Sequence, residues 1–120
     1  MGKYHAKLNG FPTAIKKCLP KAASGVSSDL SGWVQSGEKS QVVFWEVEKG
    51  FSVSGHSHQH DEWGIVVTGS CLLTIGTETK TYHAGQEFYI PSGVEHYCTM
   101  SDNYRAVDFF ASPDWIKTGK

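Results

Sequence analysis

The stretch Gly50-Phe51-Ser52-Val53-Ser54-Gly55-His56-Ser57-His58-Gln59-His60-Asp61-Glu62, closing at Gly69, decides how this chain is read. Between two glycines it sets two imidazoles and a carboxylate in the spacing His-x-His-x3-Glu. With residues 51–57 as a β-strand, His56 and His58 project from the same face, about 7 Å apart along the chain. On a helix the same spacing would splay them by about 200°. The polar segment Gln59-His60-Asp61 is long enough to turn, so Glu62 is expected to start the next antiparallel strand and lie opposite the histidine pair. A second stretch, Gly85 to His96, has the spacing Gly-x5-Pro-x-Gly-x2-His and returns one more imidazole. Three neutral imidazoles and a carboxylate on a rigid scaffold suit one divalent transition metal with open positions, and Mn, Fe, Zn, Ni and Co all accept that donor set. The expected ligands are His56, His58, Glu62 and His96.

Outward from these motifs the texture is that of an all-β chain. From Gln41 on, apolar and β-branched runs recur at short intervals, punctuated by Gly50, Gly69, Gly76, Gly85 and Gly93. The spacing predicts strands at 41–48, 51–57, 62–68, 71–76, 79–83, 86–90, 94–100 and 104–110. Val43, Trp45 and Val47 share one face of the first of these. Short, evenly spaced strands without intervening helices indicate a sandwich or a closed barrel. Residues 1–40 are rich in Gly, Ser, Lys and Pro and read as an irregular arm, with one short strand around Trp33-Val34. Residues 41–111 make the barrel and 112–120 a C-terminal tail.

Composition narrows the class. The 120 residues carry a formal net charge of −1, with 39% hydrophobic residues, enough for one domain with a real core. The eleven Lys and Arg are scattered rather than gathered in a stripe, which argues against a nucleic-acid partner. No apolar run reaches membrane-spanning length, and the opening Met1-Gly2-Lys3-Tyr4-His5 lacks the apolar region of a secretory signal. Three cysteines, Cys18, Cys71 and Cys98, form no framework spacing, and reduced thiols in the cytoplasm are the simplest expectation.

Other residues cluster around the motifs. His60 falls in the loop at the mouth of the site, either as an exposed loop histidine or in an acid/base role. By alternation Cys98 shares the face of His96, where it either lines the pocket or simply fills the barrel wall. Asp108 and Phe110 share one face of the last strand; an inward carboxylate there is costly unless paired or functional, and an outward one is the alternative.

The two spaced motifs resemble the signatures of the cupin superfamily, the second departing only where Met100 stands at the usual Asn. The resemblance implies a double-stranded β-helix, or jelly-roll, barrel, often homodimeric, whose N-terminal segment contributes a strand across the dimer. At a finer level, His56–Gly69, Ile90–His96 and Val107–Pro113 resemble the small cupins typified by the pectin-degradation uronate-linearising enzymes. That likeness implies pocket roles for Asp108 and Phe110. Glu62 stands where that group has Gln, and Asp114 near where it has an Arg for the substrate carboxylate.

The expected function is therefore that of a metal-dependent enzyme acting on a small polar molecule, sugar-like or enol-forming, by isomerase or lyase chemistry. Asp108 or His60 would move protons, and Cys98 and Phe110 would line the pocket. A metal-dependent dioxygenase or a non-catalytic small-molecule-binding barrel are the alternatives.

Overall fold

The computed structural model describes residues 30–116. Nine strands run in chain order: β1 (Leu30–Ser36), β2 (Gln41–Val47), β3 (Phe51–His56), β4 (Glu62–Thr68), β5 (Ser70–Ile75), β6 (Glu78–His83), β7 (Glu87–Ile90), β8 (His96–Met100) and β9 (Tyr104–Phe110). No helix interrupts them among the described residues, so none there is long and apolar enough to cross a membrane. The strands form two antiparallel sheets, one in the order β1-β2-β9-β4-β7 and one in the order β3-β8-β5-β6. This is the expected all-β jelly-roll barrel.

Alternation builds the interior. In β2, Gln41, Val43, Trp45 and Val47 point inward and are buried. In β9, Tyr104, Ala106, Asp108 and Phe110 do the same. Val66, Leu73, Phe88, Ile90 and Met100 complete the core from the other strands. Fully burying each aliphatic side chain of this kind contributes about 1.5–3 kcal/mol. β6 is the outer strand of the small sheet, and its Glu78-Thr79-Lys80-Thr81 run is exposed; charge on such an edge discourages pairing with another chain. On the outer face of the large sheet, Trp63 sits between Tyr89 and Phe109, with ring centroids 5.3 and 5.4 Å away.

Three expectations are corrected. The short strand around Trp33-Val34 is a full seven-residue β1 that pairs with β2 from Leu30↔Val47 to Ser36↔Gln41, so regular structure begins before residue 40. The strand expected over 51–57 stops at His56: the β3–β8 register shifts at a bulge between Val53 and His56, pairing resumes at His56↔His96, and His58 lies beyond in a loop. Glu62 does open a new strand, but β4 pairs with β7 and β9 rather than with β3. The carboxylate therefore approaches the histidines from the facing sheet. The expected arm over the first 29 residues, and a strand it would lend across a dimer, lie outside the described residues.

Candidate metal centre

Chain order and sheet order converge on one end of the barrel interior. His56 ends β3 and is the register partner of His96, the first residue of β8. His58 follows in the loop, held where the Gly93 N–H donates to its carbonyl oxygen at 2.8 Å. Gly93 adopts φ 83°, a left-handed conformation that suits glycine and lets the chain turn directly into His96. The ring centroids of His56 and His58 lie 4.3 and 4.9 Å from that of His96, and 6.0 Å from each other. One ligating atom from each of the three histidines falls within 4.8 Å of the other two.

The backbone fixes which nitrogen each ring presents. His56 Nδ1 meets Ser54 O, His58 Nδ1 meets His60 O and His96 Nδ1 meets Val94 O, each at 2.9 Å. A carbonyl oxygen can only accept, so each Nδ1 carries a hydrogen, which in the neutral ring leaves the lone pair on Nε2. That is the arrangement that orients an imidazole as a metal ligand. Burial first, and then the neighbouring His56 and His58, hold His96 below the usual histidine range, so it stays neutral near pH 7.

Glu62 comes from the opposite sheet. Its Oε1 lies 3.1 Å from His58 Nε2 and 3.7 Å from His96 Nε2. Burial pushes its carboxyl up to about 7. Asp108, also buried, hydrogen-bonds to Glu62 and receives a hydrogen bond from the Trp45 indole. Burial, then the charge on Glu62, raises Asp108 well above the usual carboxylate range, so this pair holds at least one proton at neutral pH. The open question of which way Asp108 points is thus resolved inward. Gly64, its register partner on β4, leaves the room: an added Cβ would meet the Phe88 ring and lie 2.7 Å from Asp108 Oδ1.

The donor set fits a divalent cation. Three imidazoles cluster, the Glu62 carboxyl approaches His58 and His96 among them, and His96 Nε2 is buried with no hydrogen-bond partner. A cation satisfies such an orphan, whereas apolar neighbours cannot.

These groups open onto a cavity of about 450 Å³ that runs down the barrel. Cys98 and Phe110 both line it, as do Asp108 and His96. The Cys98 thiol and the Tyr104 hydroxyl both lie against the Cys71 thiol. Cys71 and Tyr104 were not singled out in the sequence, although alternation in β5 and β9 turns both inward.

His60 stacks on His58, with centroids 4.1 Å apart and 4° between the planes. It faces a second, polar hollow at the mouth that it shares with Ser57, Gln59, Ser112 and Asp114. Burial, then His58, keeps His60 below the usual histidine range. The tail is not a free end here. Ala111 N–H donates to Asp61 O at 2.9 Å, and Trp115 stands 4.9 Å from the His58 ring and 5.2 Å from that of His60. Gln41 then fastens Ile116, its Nε2 donating to Ile116 O at 3.0 Å and its Oε1 accepting from Ile116 N at 2.8 Å. Residues 111–116 form a strap across the barrel mouth, which no sequence motif announced.

The chain belongs to the cupin family, whose domain matches residues 43–109. Among curated relatives, an uncharacterized protein of Streptomyces coelicolor is 31% identical over 74 residues, which cover 61% of this chain and 70% of that one. A mannose-1-phosphate guanylyltransferase of Salmonella typhimurium is 35% identical over 65 residues, spanning 52% of this chain but only 13% of the enzyme. Among solved structures, an RmlC-like cupin from Shewanella frigidimarina superposes with a TM-score of 0.70 at 22% identity, covering 79% of this chain and 86% of that one. KdgF from a Halomonas species gives 0.68 at 21%, covering 76% and 84%. The oxalate decarboxylase of Bacillus subtilis, a protein with Mn(II) centres, gives 0.70 at 18%, covering 85% of this chain and 31% of that one. At these identities the structural likeness is one of fold.

Proposed function

We propose that this protein is a metal-dependent enzyme acting on a small enol-forming molecule by isomerase or lyase chemistry. The observation that carries the reading is the cluster of His56, His58 and His96, with the Glu62 carboxyl against His58 and His96 and a second buried carboxyl, Asp108, lining the same cavity. His56, His58, His96 and Glu62 would hold the divalent metal, which when bound polarises a carbonyl or hydroxyl oxygen. The Mn(II) centres of the structurally similar oxalate decarboxylase support Mn as one candidate, alongside Fe, Zn, Ni and Co.

This chain's own residues supply the rest. The backbone carbonyls of Ser54, His60 and Val94 hold the three rings in the ligating tautomer. Asp108, kept protonated by its surroundings, hands a proton to the substrate oxygen and takes one back from the adjacent carbon, so an isomerisation closes with no net proton change. The apolar walls exclude water from that exchange. His60, stacked on His58 and lining the neighbouring hollow, would exchange that proton with solvent between turnovers.

Elemental analysis of protein purified without added metal or chelator tests the metal reading. About one equivalent is expected, falling away in His56→Ala and His96→Ala variants that keep their circular dichroism. Unchanged metal in those variants removes the reading. Deuterium exchange from solvent into 1,3-dicarbonyl probes tests the proton-transfer chemistry, and Asp108→Asn is expected to lower it by about 10²–10⁴-fold. A dioxygenase is the second reading, favoured by the apolar cavity walls. Oxygen uptake with the same probes, in place of exchange, would establish it.

A further inference from the structure

The lining of the cavity restricts what it can accept. Beyond the histidine end, the walls are apolar, formed by Val53, Leu73, Phe88, Ile90, Met100 and Phe110. Its volume of about 450 Å³ is that of a small-molecule site. The polar groups that face it are few: Cys98 and Tyr104 lie against Cys71, and Asp108 against Glu62 and Trp45, which leaves Asp108 Oδ1 buried without a hydrogen-bond partner. One such oxygen, on the residue beside Glu62, cannot serve a row of substrate hydroxyls along the walls.

Charge points the same way. Among the described residues no Lys or Arg lines the cavity. Arg105 is buried on the neighbouring strand position but faces the other side of β9. There it donates to the carbonyls of Val47 and Tyr104 and pairs with Glu46 and Glu48. Among the described residues the carboxyls that line the cavity are those of Glu62 and Asp108, and they offer an anion no positive charge. A carboxylate or phosphate remote from the metal would find no counter-charge. Each hydroxyl buried without a partner would weaken binding by roughly tenfold or more.

We infer that the cavity takes a molecule with an apolar, uncharged body and a single oxygen-bearing head directed at the histidine end, and rejects polyhydroxylated and anionic sugars. The inference rests on the metal-centre reading above for the head, and on the wall chemistry alone for the body.

Three hydroxypyranones with one chelating head test it: 5-hydroxy-4-pyranone bearing methyl, hydroxymethyl or carboxylate at position 2. Calorimetric titration into the full chain loaded with one equivalent of Zn²⁺, corrected for each probe's affinity for free Zn²⁺, reads the body alone. The expected order is methyl over hydroxymethyl by tenfold or more, with carboxylate weaker still. Equal affinities, a reversed order or no binding by any of the three would overturn the inference. A second arm uses metal-free protein and p-fluorotoluene, followed by fluorine NMR, with Leu73→Gln and Phe88→Leu as variants. Binding in wild type, weakened by Leu73→Gln and kept by Phe88→Leu, supports the apolar body even if elemental analysis removes the metal. Absence of binding there overturns it even if the metal is present.

Discussion

Each of the three histidines spends its Nδ1 hydrogen on a backbone carbonyl two residues away, so a single local rule prepares all three Nε2 atoms. The proposed ligand role would therefore be carried by the rings and their tautomers together. Alanine at His56, His58 or His96 is expected to reduce metal affinity by more than tenfold, as measured by competition with a chelator. His60 contributes to this arrangement through its carbonyl rather than its ring. His60→Ala should keep the metal stoichiometry while altering the pH profile of any proton transfer. Gly64 carries a different constraint. Gly64→Ala drives a Cβ against Phe88 and Asp108, and should cost about 1–3 kcal/mol by urea denaturation. The ligand spacing was legible because donor chemistry tolerates few substitutes. Gly64 was not, since its need arises from Phe88 on a different strand.

The elements show where periodicity suffices and where it fails. Alternation and glycine turns located the strands from β2 to β9 within one or two residues, because most have one buried face and turn glycines bound the exposed β6. β1 looked too poor in apolar residues for its length, yet Leu30, Gly32 and Val34 meet the inner face through the β2 pairing, and a ladder partner supplies what composition lacks. The bulge within β3 left no mark in the sequence, since Ser54-Gly55 is equally at home in a regular edge strand. The strap is a contact between Gln41 and Ile116, which pattern reading cannot reach. Gln41→Ala removes both hydrogen bonds and should cost about 1–3 kcal/mol. Limited proteolysis should then cut between Ala111 and Ile116 sooner than in wild type, and unchanged cleavage would mean the clasp does not hold the strap.

At the scale of the molecule, the site spans both sheets, with Glu62 from one and His56 and His96 from the other. Its ionisation makes stability depend on pH in the metal-free state. Burial raises Glu62 to about 7 and Asp108 well above the usual carboxylate range, so the folded protein binds protons that the unfolded chain has lost. Their contribution is present below the unfolded carboxylate range and is lost as pH rises through the folded values. His96 and His60 are lowered by burial and act in the opposite sense below about pH 6.5. Above that pH only the carboxyl contribution remains, so with chelator present the Tm is expected to fall from pH 6.5 to pH 8. One equivalent of bound metal should flatten or reverse the trend, because it favours the deprotonated ligands.

The large sheet is joined through its last strand: β9 lies between β2 and β4 and pairs with both along its length. As the chain leaves the ribosome, the β1–β2 hairpin therefore waits with one open backbone edge until residues 104–110 emerge, and β4 waits with another. Open edges invite pairing with other nascent chains. Fragments that stop before Tyr104 should collect in the insoluble fraction, and metal can be captured across the two sheets only after synthesis has passed that strand.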